Sequence, residues 1–196
     1  EWVTALLCRA LGVDPFNQPN VTEAKERTSE FLNQWEKSGE PEIAPAFSSK
    51  NLQIFYTGEL KSLNEALNVF IGHDAGYFSI MAYLNRNDDY EISKLRSSLS
   101  NVTNRAVTFG WGPRFLHSTG QFHKGGQPNG AFMQITAACK IDLEIPGSNF
   151  SFHTLLMAQA LGDGQALSSR DLPLMRIHLL NRREGIAELL QAIKEL

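Results

Sequence analysis

Apolar and polar positions alternate along this chain in segments of strand and helix type. Trp2, Ala5, Leu6, Cys8 and Leu11 recur at helical spacing, and Gly12 stands where a C-terminal glycine closes a helix. A second helix is predicted from Val21 to about Lys37, capped by Asn20, with Lys25 one turn inside its start. Strand Leu52–Tyr56, helix Leu60–Ile71, strand Tyr77–Leu84 and helix Tyr90–Val102 follow. Ala106–Phe109 and Ala131–Ala137 are rich in β-formers and read as two further strands. Ser148 and Ser151 are N-cap candidates for a helix in which Phe152, Leu155, Leu156, Gln159 and Ala160 share one face, expected to stop near Gly162. Strand Leu174–Leu179 and helix Arg183–Leu196 complete the order.

Strands alternating with helices over this length predict a three-layer α/β sandwich with a mostly parallel sheet, preceded by an N-terminal helical segment. Ser38–Lys50 is Pro/Ser-rich and lacks periodicity, as inter-domain links do. The expected division is therefore a helical tail at 1–38, a linker at 39–50 and an α/β domain at 51–196. Glu1 falls inside an apolar helical pattern, which suggests a chain cut from something longer.

Composition changes little in this picture. With 196 residues and 42% hydrophobic content the chain can bury a sizeable core, and no apolar run approaches the roughly 20 residues that span a bilayer. Neither a membrane nor a nucleic acid is an expected partner. Cys8 and Cys139 lie in apolar contexts without metal-type spacing, which suggests buried reduced thiols and a cytoplasmic setting. Sequons at Asn20, Asn101 and Asn149 follow no secretory signal and read as accidental.

Charge matters more. The formal net charge is -3, yet no Asp or Glu occurs from Ile92 through Ile141, where Lys94, Arg96, Arg105, Arg114, Lys124 and Lys140 all fall. Inside that interval Gly110–Gly130 concentrates Arg114, His117, Ser118, Thr119, Gln121, His123 and Lys124 among glycines and prolines. It reads as a loop of about 20 residues without helix or strand, and loops that long usually serve function or are disordered. Cations, hydroxyls and free backbone N–H groups together make an anion site. The loop also leaves the carboxyl end of a strand, where open α/β sheets place ligands.

Other motifs fail on spacing. Gly110-Trp-Gly112 lacks the third glycine and the helix of a dinucleotide fingerprint, and Gly125-Gly126 is not preceded by phosphate-loop residues. His117 and His123 with Cys139 or His153 fit no standard zinc pattern, so neither a metal nor a cofactor is expected. Ser118 beside His117 is not a nucleophile elbow.

Two stretches resemble a known family. Asp14-Pro-Phe-Asn-Gln-Pro-Asn-Val, followed by Lys25, resembles the glucose-6-phosphate isomerase segment Asn-Pro-Phe-Asp-Gln-Pro-Gly-Val with a lysine the same distance on. Phe16, Gln18, Pro19, Val21 and Lys25 match, whereas Asn17 replaces Asp and Thr22 stands where Glu is usual. Gly112-Pro-Arg-Phe-Leu-His-Ser-Thr-Gly-Gln-Phe-His-Lys-Gly-Gly is similar to the C-terminal region of bifunctional transaldolase/glucose-6-phosphate isomerase fusions. Ile145-Pro-Gly, Ala158-Gln-Ala-Leu-Gly-Asp and Arg176-Ile-His-Leu extend that likeness over nearly the whole chain.

The resemblance implies the tail of a second sugar-isomerase (SIS) domain followed by an additional C-terminal domain, with upstream isomerase and transaldolase domains as partners in the parent. The reaction it implies moves a proton between C2 and C1 of a sugar phosphate through an enediol, using a carboxylate base, a ring-opening acid and cations. Catalytic roles would fall to Lys25, on the ring-oxygen or O1 side near Gln18, and to His117. Gln18, Arg114, Ser118, Thr119, His123 and Lys124 would bind substrate. The family's acidic base lies upstream of the lysine segment, so the isolated chain is expected to have little or no isomerase activity. A non-catalytic phosphosugar-binding module is a second reading. A module that packs domains or subunits together is a third, because the apolar face of the Trp2 helix needs a cover.

Overall fold

Six strands form one sheet in the computed structural model, which describes residues 1–17, 19–39 and 43–196. They are β1 (Phe47–Ser48), β2 (Leu52–Phe55), β3 (Tyr77–Ala82), β4 (Ala106–Trp111), β5 (Gly130–Ala137) and β6 (Leu174–Leu179), in the order β1-β2-β6-β5-β3-β4. β4, β3, β5 and β6 are parallel, while β2 is antiparallel to β6 and β1 to β2. The α-helices are α1 (Trp2–Leu11), α2 (Pro19–Ser38), α3 (Leu63–Ile71), α4 (Leu95–Thr103), α5 (Thr119–Gly125), α6 (Phe152–Ser168) and α7 (Arg182–Lys194).

The layers follow from which residues each strand turns to each side. Phe78, Ile80, Met133, Ile135, Met175, Ile177 and Ile54 meet α3, α4 and α7 in the larger core. Tyr77, Met81, Tyr83 and Phe132 face the opposite way, onto Phe115, Leu116, Ala160 and Leu167. β3 is buried on both faces along its whole length, as strands covered by helices on both sides are. The architecture is the expected three-layer α/β sandwich with a mostly parallel sheet.

The structure differs from the sequence reading at four points. The helix expected to stop near Gly162 runs on to Ser168 as α6. Its glycines admit close neighbours instead of ending it: a Cβ on Gly162 would lie 3.2 Å from the Thr28 backbone nitrogen, and one on Gly164 3.1 Å from Leu174 Cδ2. α2, grouped by sequence with an upstream domain, packs on α6 through Phe31, Leu32 and Trp35 against Met157, Ala158 and Leu161. Glu23 ties α2 to the segment just after α6, reaching Arg170 at 2.6 Å, and pairs within α2 with Arg27 at 3.1 Å. α2 begins at Pro19, so Asn20 lies within the helix. Finally, the expected linker contains β1, and Ala46 donates to Ile54 O at 2.8 Å, so residues 46–48 join the sheet's edge.

α1 has no buried residue, and Trp2, Leu6, Leu7 and Leu11 are exposed. Gly12 closes it in the left-handed conformation at φ 70°, as its position predicts. Cys8 and Cys139 are unpaired but only half-buried, more open than their apolar surroundings suggested. Among the described residues no helix is long and apolar enough to cross a membrane.

Candidate functional site

Gly110–Gly130 is not an irregular loop. Arg114–His117 form a short 3-10 helix and Thr119–Gly125 form α5, because buried Phe115, Leu116, His123 and Lys124 anchor both turns. Glycines make room for the first anchor: a Cβ on Gly110 would lie 2.7 Å from that of Phe115, and one on Gly112 2.7 Å from the Tyr83 ring. Phe115 and Tyr83 then meet edge to face, with ring centroids 5.7 Å apart. With Phe115 and Leu116 turned inward, Arg114 and His117 remain exposed.

Those two side chains share a cavity of about 450 Å³ with Lys25. α2 supplies Lys25, Thr28, Ser29 and Leu32, α6 supplies Leu155 and Gln159, and Leu116 lines the floor. The packing of α2 on α6 is therefore what carries Lys25 to Arg114 and His117. No Asp or Glu lines the cavity among the described residues. Three cationic or basic groups facing an open space suit a small anion.

The other expected site residues go elsewhere. Thr119 is exposed at the start of α5, and Ser118 Oγ donates to Phe115 O at 3.2 Å, tying the two turns together. Gln18 lies outside the described residues. His123 and Lys124 are inside the protein and do not line the cavity that Lys25, Arg114 and His117 share. Lys124 Nζ donates to Asp163 Oδ1 at 2.6 Å, with side-chain exposures of 1% and 2%. Tyr83 OH donates to the same carboxylate at 3.5 Å. Burial raises the Asp163 carboxyl against the opposing pull of Lys124, and burial together with the Asp163 charge pushes the Tyr83 phenol well up. Neither Asp163 nor Tyr83 was assigned a role from sequence. A single carboxylate in an apolar helix, Gly-Asp-Gly within α6, was the signal available.

His123 is packed among Phe115, Phe122, Phe132 and Tyr77 and lies 3.4 Å from Ser79 Oγ. Burial first, and then the Lys124 charge, lower its pKa from 6.5 to about 4. His178 is likewise lowered to about 4 by burial and by the charges of Arg176 and His153. A histidine whose folded pKa is depressed favours folding fully above its unfolded value and loses that contribution as the pH falls. Stability is therefore expected to drop between pH 6.5 and about 4, by about 3 kcal/mol for His123. Urea unfolding across that window checks this, and His123→Phe should flatten the dependence.

The carboxylate-free interval does not make one positive field. Lys94 pairs with Glu91, Arg105 with Asp74 at 3.9 Å and Lys124 with Asp163. Lys140 stands after β5, in a separate cleft of about 810 Å³ that also holds Asp89, Arg182 and Arg183. That cleft lies past the carboxyl ends of β5 and β6, beside the point where the chain crosses from β4 to the other side of β3. The cleft's Asp89 is buried and holds Arg182 at 3.3 Å. Among the described residues, no three His, Cys, Asp or Glu side chains group as a metal centre requires.

No family model matches the chain, and no curated protein matches it. Among solved structures, a hypothetical protein from Thermus thermophilus, TT0462, is similar, with a TM-score of 0.54 and 16% identity over 66% of this chain. The chain covers 36% of that protein's length, and at such identity the likeness shows the fold alone.

Proposed function

We propose that this chain is a portion of a glucose-6-phosphate isomerase, interconverting glucose 6-phosphate and fructose 6-phosphate in a parent that also carries upstream isomerase and transaldolase domains. The observation that carries this reading is the convergence of Lys25, Arg114 and His117, from two separate stretches of sequence, on one cavity. In this role Arg114 holds the phosphate through paired N–H donors, and Lys25 stabilises charge developing at the ring oxygen or O1. His117 passes protons at the same end of the sugar. The carboxylate base comes from the upstream part of the parent, which agrees with a lining free of Asp and Glu among the described residues. A cytoplasmic setting is part of the proposal and accords with the unpaired Cys8 and Cys139.

That carboxylate-free lining also favours a second reading, a phosphosugar-binding module without chemistry of its own. Arg114→Ala in the parent separates the two. Loss of one charged phosphate contact, worth about 1.5–3 kcal/mol, should lower kcat/KM for glucose 6-phosphate by at least about tenfold. Weakened sugar-phosphate binding with unchanged turnover supports the binding module, and unchanged binding and turnover overturn both.

A further inference from the structure

Further along α2 than the Lys25 cavity, past Leu32, lies a separate cavity of about 510 Å³. α2 supplies Leu32, Trp35 and Glu36 to it, and the segment leading into α6 supplies the other wall, from Glu144 to Ser151. That segment is held in shape by its own contacts. Glu144 and Ser151 form an antiparallel backbone bridge, Ser148 N donates to Ile145 O at 3.0 Å, and Ser151 Oγ caps α6 by accepting from Thr154 N at 3.1 Å. Asn149 Nδ2 donates to Glu36 Oε1 at 2.6 Å and so ties the two walls together. The cavity is thus formed by the fold itself, as ligand sites usually are.

Trp35 is the lining residue that packing leaves unexplained. It is only 7% exposed, and its indole N–H is buried without a hydrogen-bond partner among the described residues. A buried indole N–H is ordinarily matched, and one left over carries its desolvation cost. The ring packs with Phe31, Met157, Ala158 and Leu161, the Phe31 centroid lying 5.7 Å away, and these contacts have no use for an indole nitrogen. None of those side chains offers an oxygen. The cavity that Trp35 lines is where an acceptor can meet the N–H.

The remaining lining sets the charge of what brings that acceptor. Glu36 and Glu144 both line the cavity, and no Lys, Arg or His does among the described residues. Two carboxylates without a cation repel an anion and attract an ammonium, which can donate to both. Leu32 and Phe150 add apolar surface for a carbon skeleton. A hydroxyl suits the Trp35 end better than a carbonyl, because its oxygen accepts from the indole while its proton goes to an acceptor such as Asn149 Oδ1 or Ser148 Oγ.

We infer that this cavity is a second binding site, taking a small hydroxylated amine whose ammonium meets Glu36 and Glu144 and whose hydroxyl oxygen accepts from Trp35 Nε1. It is opposite in charge to the Lys25 cavity, from which Leu32 divides it, and stands whether or not the isomerase reading holds. The test follows the indole N–H resonances of Trp2, Trp35 and Trp111 in the 196-residue chain by NMR, that of Trp35 being the one missing from Trp35→Phe. trans-4-Aminocyclohexanol is the probe. Cyclohexylamine and cyclohexanol are controls of the same shape that lack the hydroxyl or the charge.

The probe is expected to move the Trp35 indole proton downfield and to bind at least about tenfold more tightly than either control, each of which forfeits one of the two polar contacts. Trp35→Phe and Glu144→Gln are each expected to weaken binding at least about tenfold. Glu144 is exposed, and its replacement removes charge while keeping shape, so failure to fold does not confound that variant. Cyclohexylamine or cyclohexanol binding as tightly as the probe, indifference to either substitution, or no shift of the Trp35 proton at millimolar probe each overturn the inference and leave the indole N–H to a buried water.

Discussion

On the proposed isomerase reading, Lys25→Met in the proposed parent polypeptide is expected to lower glucose 6-phosphate turnover by at least about a hundredfold, the scale of losing a positioned acid–base or charge-stabilising group. Lys25 is exposed at the cavity mouth on α2, and the residues that seat α2 are Phe31, Leu32 and Trp35, so the substitution removes charge without removing packing. The melting temperature should therefore stay within the small range of ordinary surface changes. Its pattern matters as much as its size. A fall in kcat with little change in KM places the ammonium on charge that develops in the transition state, whereas a rise in KM alone places it on the bound phosphate. Near-normal turnover would make Lys25 part of a solvated helix face and end the isomerase assignment of this cavity.

Lys124→Met should act in the opposite way, through folding. Its ammonium and the Asp163 carboxylate are 2.6 Å apart, with side-chain exposures of 1% and 2%, between α5 and α6. Removing one member of a buried pair leaves the other charge unmatched, which costs about 3–5 kcal/mol. That is a large part of the roughly 5–15 kcal/mol that holds a domain folded. The expected result is a large fall in the urea midpoint at unchanged m-value. Lys124→Met combined with Asp163→Asn should recover most of the loss, because no unpaired charge then remains and the Asn can still accept from Tyr83. If Lys124→Met folds normally but loses sugar-phosphate binding, Lys124 is a surface ligand after all and the interior ion pair is not its working state.

The two lysines show where reading the chain succeeds and where it stops. Both stood out in sequence for the same reason, a cation in a distinctive motif, and only packing separates them. Lys124 follows His123 on α5, whose inward side meets the sheet, and its partner Asp163 lies on α6, across β5 and the segment that follows it. A carboxylate-free interval of sequence says nothing about carboxylates brought in from outside it.

Local periodicity by itself determined the alternation of strands and helices, the bounds of β6, the glycine end of α1 and hence the layered α/β class. These depend on side-chain alternation and backbone conformation within a few residues, which the chain carries at each position. Tertiary structure decided the rest. Gly162 and Gly164 could have ended a helix; they permit Thr28 and Leu174 to approach α6 instead. The Gly110–Gly130 segment became two helical turns because Phe115 found Tyr83 and Lys124 found Asp163. The antiparallel edge β1-β2 and the place of α2 on α6 were equally invisible, since strand direction and helix docking depend on contacts between residues far apart in the chain. Trp35, Glu36 and Glu144 stood in sequence without a link, and only the fold of the 144–151 segment beside α2 sets them around one cavity.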